Sequence, residues 1–225
     1  MPTLHQHHAP HGDHLLILFT GWGMDDRQTA HLADDAHDVW TVSDYTTPVQ
    51  LPPIPPHYRS CTLVAWSLGV WAAAEAADAL PANLTAAIAV NGTLTPIDDH
   101  DGIPSAIFNG TAQNWLNPRA RQRFLLRMTG SAPAADAFPK PQRTPLDQQR
   151  ELQAIAQRAA TTPLHQNPFS HAIVASHDRI FPPDAQQHAW SKHPETHLLT
   201  LSDAPHAPFD AFSSWSDFLQ LANHA

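Results

Sequence analysis

Short blocks of uninterrupted apolar residues alternate along the chain with longer segments whose apolar residues recur at helical spacing. His14-Leu-Leu-Ile-Leu-Phe19 is bounded by turn residues, the pattern of a strand buried on both faces of a parallel sheet. Val39–Val42, Thr62–Val64, Ala86–Val90, the stretch from Ala172 and Thr196–Leu201 read as further strands. Between them, Asp25–Ala36, the Ala-rich run Val70–Leu80 and Gln186–Trp190 have helical character, Pro182 and Pro183 opening the last. An amphipathic helix carrying Phe212, Trp215, Phe218 and Leu219 ends the pattern. Strands and helices in alternation predict an α/β fold with a mainly parallel sheet and helices on both faces.

The alternation stops near Gly102. From there to Pro168 the chain predicts helices and proline joints only. Trp115–Met128 and Pro145–Ala160 are the helices, the second with Leu152, Ile155 and Ala159 inward, and Ala132–Pro145 is expected to link them. The expected organisation is therefore a flexible His-rich leader at 1–13, an α/β core at 14–101 and 169–225, and an α-helical cap inserted at 102–168.

Composition narrows the function classes. The chain has 225 residues, enough for one good-sized core, and a formal net charge of −9, which argues against nucleic acid as a partner. No apolar run is long enough to span a membrane, the N-terminal residues lack a signal-peptide core, and the lone Cys61 forms no intrachain disulfide. A monomer in the cytoplasm is the expectation. His5, His7, His8, His11 and His14 lack the Cys or carboxylate framework of a metal site, so no metal is expected there. The charge is unevenly spread: eight of the twelve basic side chains lie from Arg119 to Arg158, opposed by Asp136, Asp147 and Glu151. Arg119, Arg123 and Arg127 recur every four residues and so share a helix face. By itself this patch reads as a solvated surface; an acidic partner is the competing explanation.

Candidate chemistry centres on Ala65-Trp66-Ser67-Leu68-Gly69, a small-x-Ser-x-Gly sequence at a predicted strand-to-helix turn. Such a turn lifts one hydroxyl out of the fold in front of a helix N-terminus. A serine that merely caps a helix is the plain alternative. Asp178 and His206 also follow predicted strands, and the chain order Ser67, Asp178, His206 is that of α/β-hydrolases. An imidazole would take the serine proton, and a carboxylate would orient that imidazole. Asp184 and Asp203 compete for the acid role, Asp203 more closely because it lies in the histidine's own loop; strand-end placement favours Asp178. The oxyanion of acyl transfer needs backbone donors, which Leu68 and the Gly21-Trp22-Gly23 loop can supply. This chemistry needs no metal or organic cofactor.

Gly21-Trp22-Gly23-Met24-Asp25, Trp66-Ser67-Leu68-Gly69, Asn91-Gly92-Thr93 with Pro96-Ile97, His177-Asp178-Arg179-Ile180-Phe181-Pro182-Pro183 and His206-Ala207-Pro208-Phe209 occur in this order. As a set they resemble the BioG-type pimeloyl-acyl-carrier-protein methyl ester esterases of biotin synthesis, members of the α/β-hydrolase superfamily. Ala65 replaces the usual first glycine, and the cap resembles the family only loosely. The resemblance implies a serine carboxylesterase with Ser67, Asp178 and His206 as catalytic residues and Trp22 and Leu68 as oxyanion donors. It places Phe124 to Met128 against the acyl chain. It also turns the basic cap into a candidate surface for an acidic acyl carrier protein, with Arg119, Arg121, Arg123, Arg127, Arg143, Arg150 and Arg158 as a group. Two other readings share these residues: a general short-chain carboxylesterase or acyl thioesterase, and a non-catalytic binder of an acidic carrier protein.

Overall fold

In the computed structural model, which describes residues 2–161 and 166–223, the apolar blocks form one seven-stranded sheet. The strands are β1 (Thr3–His7), β2 (His14–Phe19), β3 (His37–Ser43), β4 (Ser60–Trp66), β5 (Leu84–Val90), β6 (His171–Ala175) and β7 (His197–Leu201), in the spatial order β1-β3-β2-β4-β5-β6-β7. All neighbours pair in parallel except β1 with β3. Leu15 to Phe19 of β2 are all at most 1% exposed. Successive strand residues point to opposite faces, so both faces of the sheet are covered there. Helices α1 (Leu68–Glu75), α2 (Ser105–Asn114), α3 (Pro118–Thr129), α4 (Ala132–Ala137), α5 (Pro145–Thr161), α6 (Pro183–Trp190) and α7 (Trp215–Asn223) complete the chain. Helix α1 packs on β2 and β4, and α6 packs on β6.

Helices α2 to α5 are the insertion between β5 and β6. Their inward residues Phe108, Phe124, Met128, Leu152 and Ile155, with Trp115 between α2 and α3, are buried and belong to the same apolar cluster as the sheet. The insertion therefore shares the core of the sheet and lacks one of its own.

Three expectations change. Thr3–His7 is an edge strand, where the histidines had suggested a flexible leader. Only Leu4 of this strand packs against the core, so backbone pairing in the Thr3↔Ser43 to His7↔Val39 register holds it, and hydropathy carries little trace of it. Buried Asp38 secures the exit from β1, accepting from Ala9 N at 2.8 Å and Tyr58 Oη at 2.7 Å while His8 Nδ1 lies 2.7 Å from it. The Asp25–Ala36 segment forms two 3-10 turns, Asp26–Gln28 and Ala30–Leu32. Asp25 caps the first by accepting from Arg27 N, and Gln28 Oε1 accepts from Asp25 N. The Ala132–Pro145 joint contains α4, whose first turn is capped by Ser131 Oγ accepting from Ala134 N.

Position 69 sets how closely α1 approaches β2. A Cβ at Gly69 would lie 2.4 Å from Thr20 O and 2.5 Å from Phe19 O, both rigid backbone atoms. Gly69→Ala is expected to lower stability by about 1–3 kcal/mol through overpacking. The check is urea unfolding, read as a lower midpoint at unchanged slope; an unchanged midpoint would show that the helix can shift freely.

Candidate active site

Strand β4 runs straight into α1 through Ser67, whose backbone is held at φ 60°, ψ −127°. A non-glycine residue adopts this conformation only when its surroundings enforce it, at a cost of about 1–3 kcal/mol. Ser67 N donates to Val90 O at 2.8 Å, and the close approaches at Gly69 and Gly92 leave the turn no other path. A Cβ at Gly92 would stand 2.3 Å from Ser67 O. Ala65, in the place of the usual glycine, is fully buried between Phe19 and Ala89 of the flanking strands. Its methyl group is accommodated.

The Ser67 hydroxyl does not cap α1. It lies 2.9 Å from His206 Nε2, and His206 Nδ1 lies 2.8 Å from Asp178 Oδ2. With ionised Asp178 accepting from Nδ1–H, the neutral imidazole presents Nε2 as an acceptor to the serine O–H. Asp178 is held in turn. Its Oδ1 accepts from Ile180 N at 2.7 Å and Phe181 N at 2.9 Å, and its Oδ2 accepts from Gln186 Nε2 at 3.0 Å. Asp203 points away, 90% exposed and 3.8 Å from His177. Asp184 opens α6.

Two residues that hydropathy does not single out fix the histidine loop. Trp66 Nε1 donates to His206 O at 2.8 Å, and Asn91 Nδ2 donates to the same oxygen at 2.9 Å. Asn91 Oδ1 accepts from Ala175 N at 2.7 Å, which joins the ends of β5 and β6 to that loop. Asn91 has φ 49°, a region that asparagine tolerates better than most residues, so an Asn-Gly pair after an apolar strand was the available sequence signal. The imidazole also stacks on Phe181, with ring planes 11° apart.

An apolar cavity opens in front of Ser67, lined by Trp22, Leu68, Phe108, Phe124, Met128 and Ile180 together with His206 and Arg127. Leu68 N, at the first turn of α1, has no intrahelical acceptor. In the Gly21–Met24 turn, Met24 N donates to Gly21 O and Gly23 N to Glu151, while Trp22 N meets no acceptor among the described residues. Trp22 and Leu68 both line the cavity beside Ser67, and two backbone donors are what an oxyanion there would need. Phe124 and Met128 form its α3 wall, and Trp22 packs edge-on to Phe124.

The arginines divide. Arg119 and Arg123 are exposed on α3, and Arg127 is half-buried at the cavity, its pKa lowered by burial and then by Arg123. Arg121 donates to Trp115 O at 2.9 Å, and exposed Arg150 lies 3.8 Å from Asp147. Arg143 and Arg158 do not belong with a carrier-facing group. Arg143 is enclosed with Glu151 and Asp44, and Arg158 binds both Glu75 oxygens over the Trp71 ring. Their charges are consumed inside the fold. Among the described residues, no group of three or more His, Cys, Asp or Glu side chains gathers as a metal site, and no helix is long and apolar enough to cross a membrane.

Comparison with known proteins identifies the family. A family model described as "Pimeloyl-ACP methyl esterase BioG" matches residues 1–218. The crystal structure of BioG from Haemophilus influenzae superposes with a TM-score of 0.81 at 32% identity, covering 95% of this chain and 98% of that one. A lipase-esterase related protein from Clostridium acetobutylicum, at 14% identity and TM-score 0.69 over 98% of each chain, shares the fold. A Bacteroides fragilis protein named malonyl-[acyl-carrier protein] O-methyltransferase is 39% identical over 180 residues, 79% of this chain. The chain spans only 36% of that protein's length. With an α/β-hydrolase fold and a match over nearly its whole length, the chain belongs to the pimeloyl-ACP methyl esterase BioG family.

Proposed function

We propose that this protein hydrolyses the methyl ester of pimeloyl-acyl-carrier protein, releasing methanol and the free ω-carboxylate, as a cytoplasmic step of biotin synthesis. The observation that carries the reading is the buried contact chain from Ser67 through His206 to Asp178, opening on an apolar cavity beneath α3. In the proposed mechanism His206 Nε2 accepts the Ser67 proton as Oγ attacks the ester carbonyl. The oxyanion takes hydrogen bonds from the Trp22 and Leu68 amides. Collapse expels methanol, protonated by His206, and leaves a Ser67 acyl ester. Water, activated by the same imidazole, releases the carboxylate and restores the serine.

An apolar cavity suits the methylene chain of an esterified diacid better than its free acid, because methylation removes a charge that burial would penalise. A groove between α2 and α3 leads toward the cavity; Ile107, Thr111, Phe124 and Arg127 line both. The reading sends the prosthetic arm along this groove, with Arg119 and Arg123 facing the acidic carrier. The Bacteroides fragilis relative bears the name of a carrier-protein O-methyltransferase. Such an enzyme makes the class of ester that this one would remove.

Ser67→Ala is expected to abolish methanol release from the carrier-linked methyl ester, at least 1,000-fold by the ~10⁶ precedent for such nucleophiles, while carrier binding persists. Turnover that survives this substitution would rule out Ser67. Release of intact carrier without methanol would instead identify a thioesterase. In a separate test, Arg119→Glu with Arg123→Glu should raise KM for the carrier-linked ester on the order of tenfold and flatten its salt dependence. Hydrolysis of a free short ester should hold. If only the short ester were affected, the arginine face would be structural.

A further inference from the structure

Helix α5 grips the loop that presents the Trp22 amide. Gly23 N donates to Glu151 Oε2 at 3.1 Å, and Gly23 O accepts from Gln148 Nε2 at 2.9 Å. Trp22 Nε1 donates to the Gln148 carbonyl at 2.6 Å, and Trp115 Nε1 holds the Gln148 side chain from the other side at 3.0 Å. Glu151 Oε1 accepts from Tyr45 N, just after β3, at 2.8 Å. Arg143 closes on Glu151 Oε2 and reaches Asp44 at 3.2 Å. Glu151 is completely buried.

A fully buried carboxylate costs several kcal/mol in desolvation, and an apolar side chain of similar size often stabilises a core as well or better. Packing alone therefore does not account for Glu151. Its position does. Gly23 sits at φ +74°, where any side chain would be strained, and its N–H belongs to the peptide adjoining Trp22. Fixing the Gly23 peptide at both its N–H and its carbonyl neighbour, with the Met24-to-Gly21 turn closing the other side, leaves the Trp22 N–H one direction to point. We infer that Glu151 is a positioning residue of the ester hydrolysis: through Gly23 N it aims the Trp22 N–H at the oxyanion, making the cap helix and the oxyanion loop one unit. The inference rests on the proposed role of Trp22, and it extends the active site to a residue that touches no substrate.

The test uses p-nitrophenyl acetate, which needs no carrier contact, with rates expressed per serine labelled to completion by a fluorophosphonate. Glu151→Asp, which keeps the charge but withdraws the acceptor, and Glu151→Met with Arg143→Met, which removes both acceptor oxygens together with their cationic partner, are both measured. Each should lower kcat about 10- to 100-fold with KM within about twofold, because a misdirected donor harms the transition state more than the ground state. Affinity for phenylboronic acid, whose serine adduct is tetrahedral, should fall by the same factor. Arg158→Gln breaks another ion pair between cap and core, to Glu75, and should leave kcat per labelled serine unchanged. Unchanged kcat in the Glu151 variants that fold, or an equal fall in Arg158→Gln, would overturn the inference. A wild-type protein that takes no label and hydrolyses no ester would overturn the underlying reading as well; an active wild type with unaffected Glu151 variants overturns the inference alone.

Discussion

The left-handed backbone at Ser67 is the constraint on which the rest of the molecule depends. A serine at φ 60° relaxes unless the chain on either side is fixed, and here it is fixed from three directions. Val90 O takes its amide, Gly69 lets α1 lie against the carbonyls of β2, and Gly92 lets the β5 loop pass its own carbonyl. Freed from capping its helix, the hydroxyl has one partner among the described residues, His206. The strain thus becomes direction: the oxygen points out of the sheet edge into an apolar cavity.

Around that point the polar groups hold one another in place. Asp178 accepts from two backbone amides, Gln186 and His206; the His206 carbonyl accepts from Trp66 and Asn91; Ala207 N donates to Met128 O at the end of α3. The last of these matters for the cap. Helix α3 is tied to the His206 loop and α5 to the Gly21–Met24 turn, so the insertion grips the cavity from both sides. A roof that only shielded the cavity would need neither contact.

How much of this was legible in the sequence follows from what hydropathy records. Strands buried on both faces, such as Leu15–Phe19, announce themselves, and with them come the loops at their ends and the order Ser67, Asp178, His206. Thr3–His7 does not, because an edge strand is held by its backbone ladder and its side chains stay polar. The 3-10 turns after Asp25 have the composition of a helix, and the non-helical backbone of Thr29, φ −125°, divides them. Glu151 and Arg143 are the instructive cases. On α5 the spacing of Gln148, Glu151, Leu152 and Ile155 places all four on the inward face, yet a carboxylate in an Arg-rich segment reads as surface charge. Its burial depends on two amides from loops more than 100 residues away, which no local pattern encodes.

The central claim is that Ser67 attacks the ester at the far end of a carrier-bound acyl chain. Acid-quenched turnover of pimeloyl-carrier methyl ester, followed by mass analysis of intact protein and its peptides, tests it most directly. The acyl-enzyme still holds its carrier through the thioester, so the account predicts a transient covalent enzyme–carrier complex, mapped to the Ser67 peptide and formed with one equivalent of methanol. Methanol released with no adduct at Ser67 at any quench time, or a Ser67 adduct lacking the carrier, would contradict it.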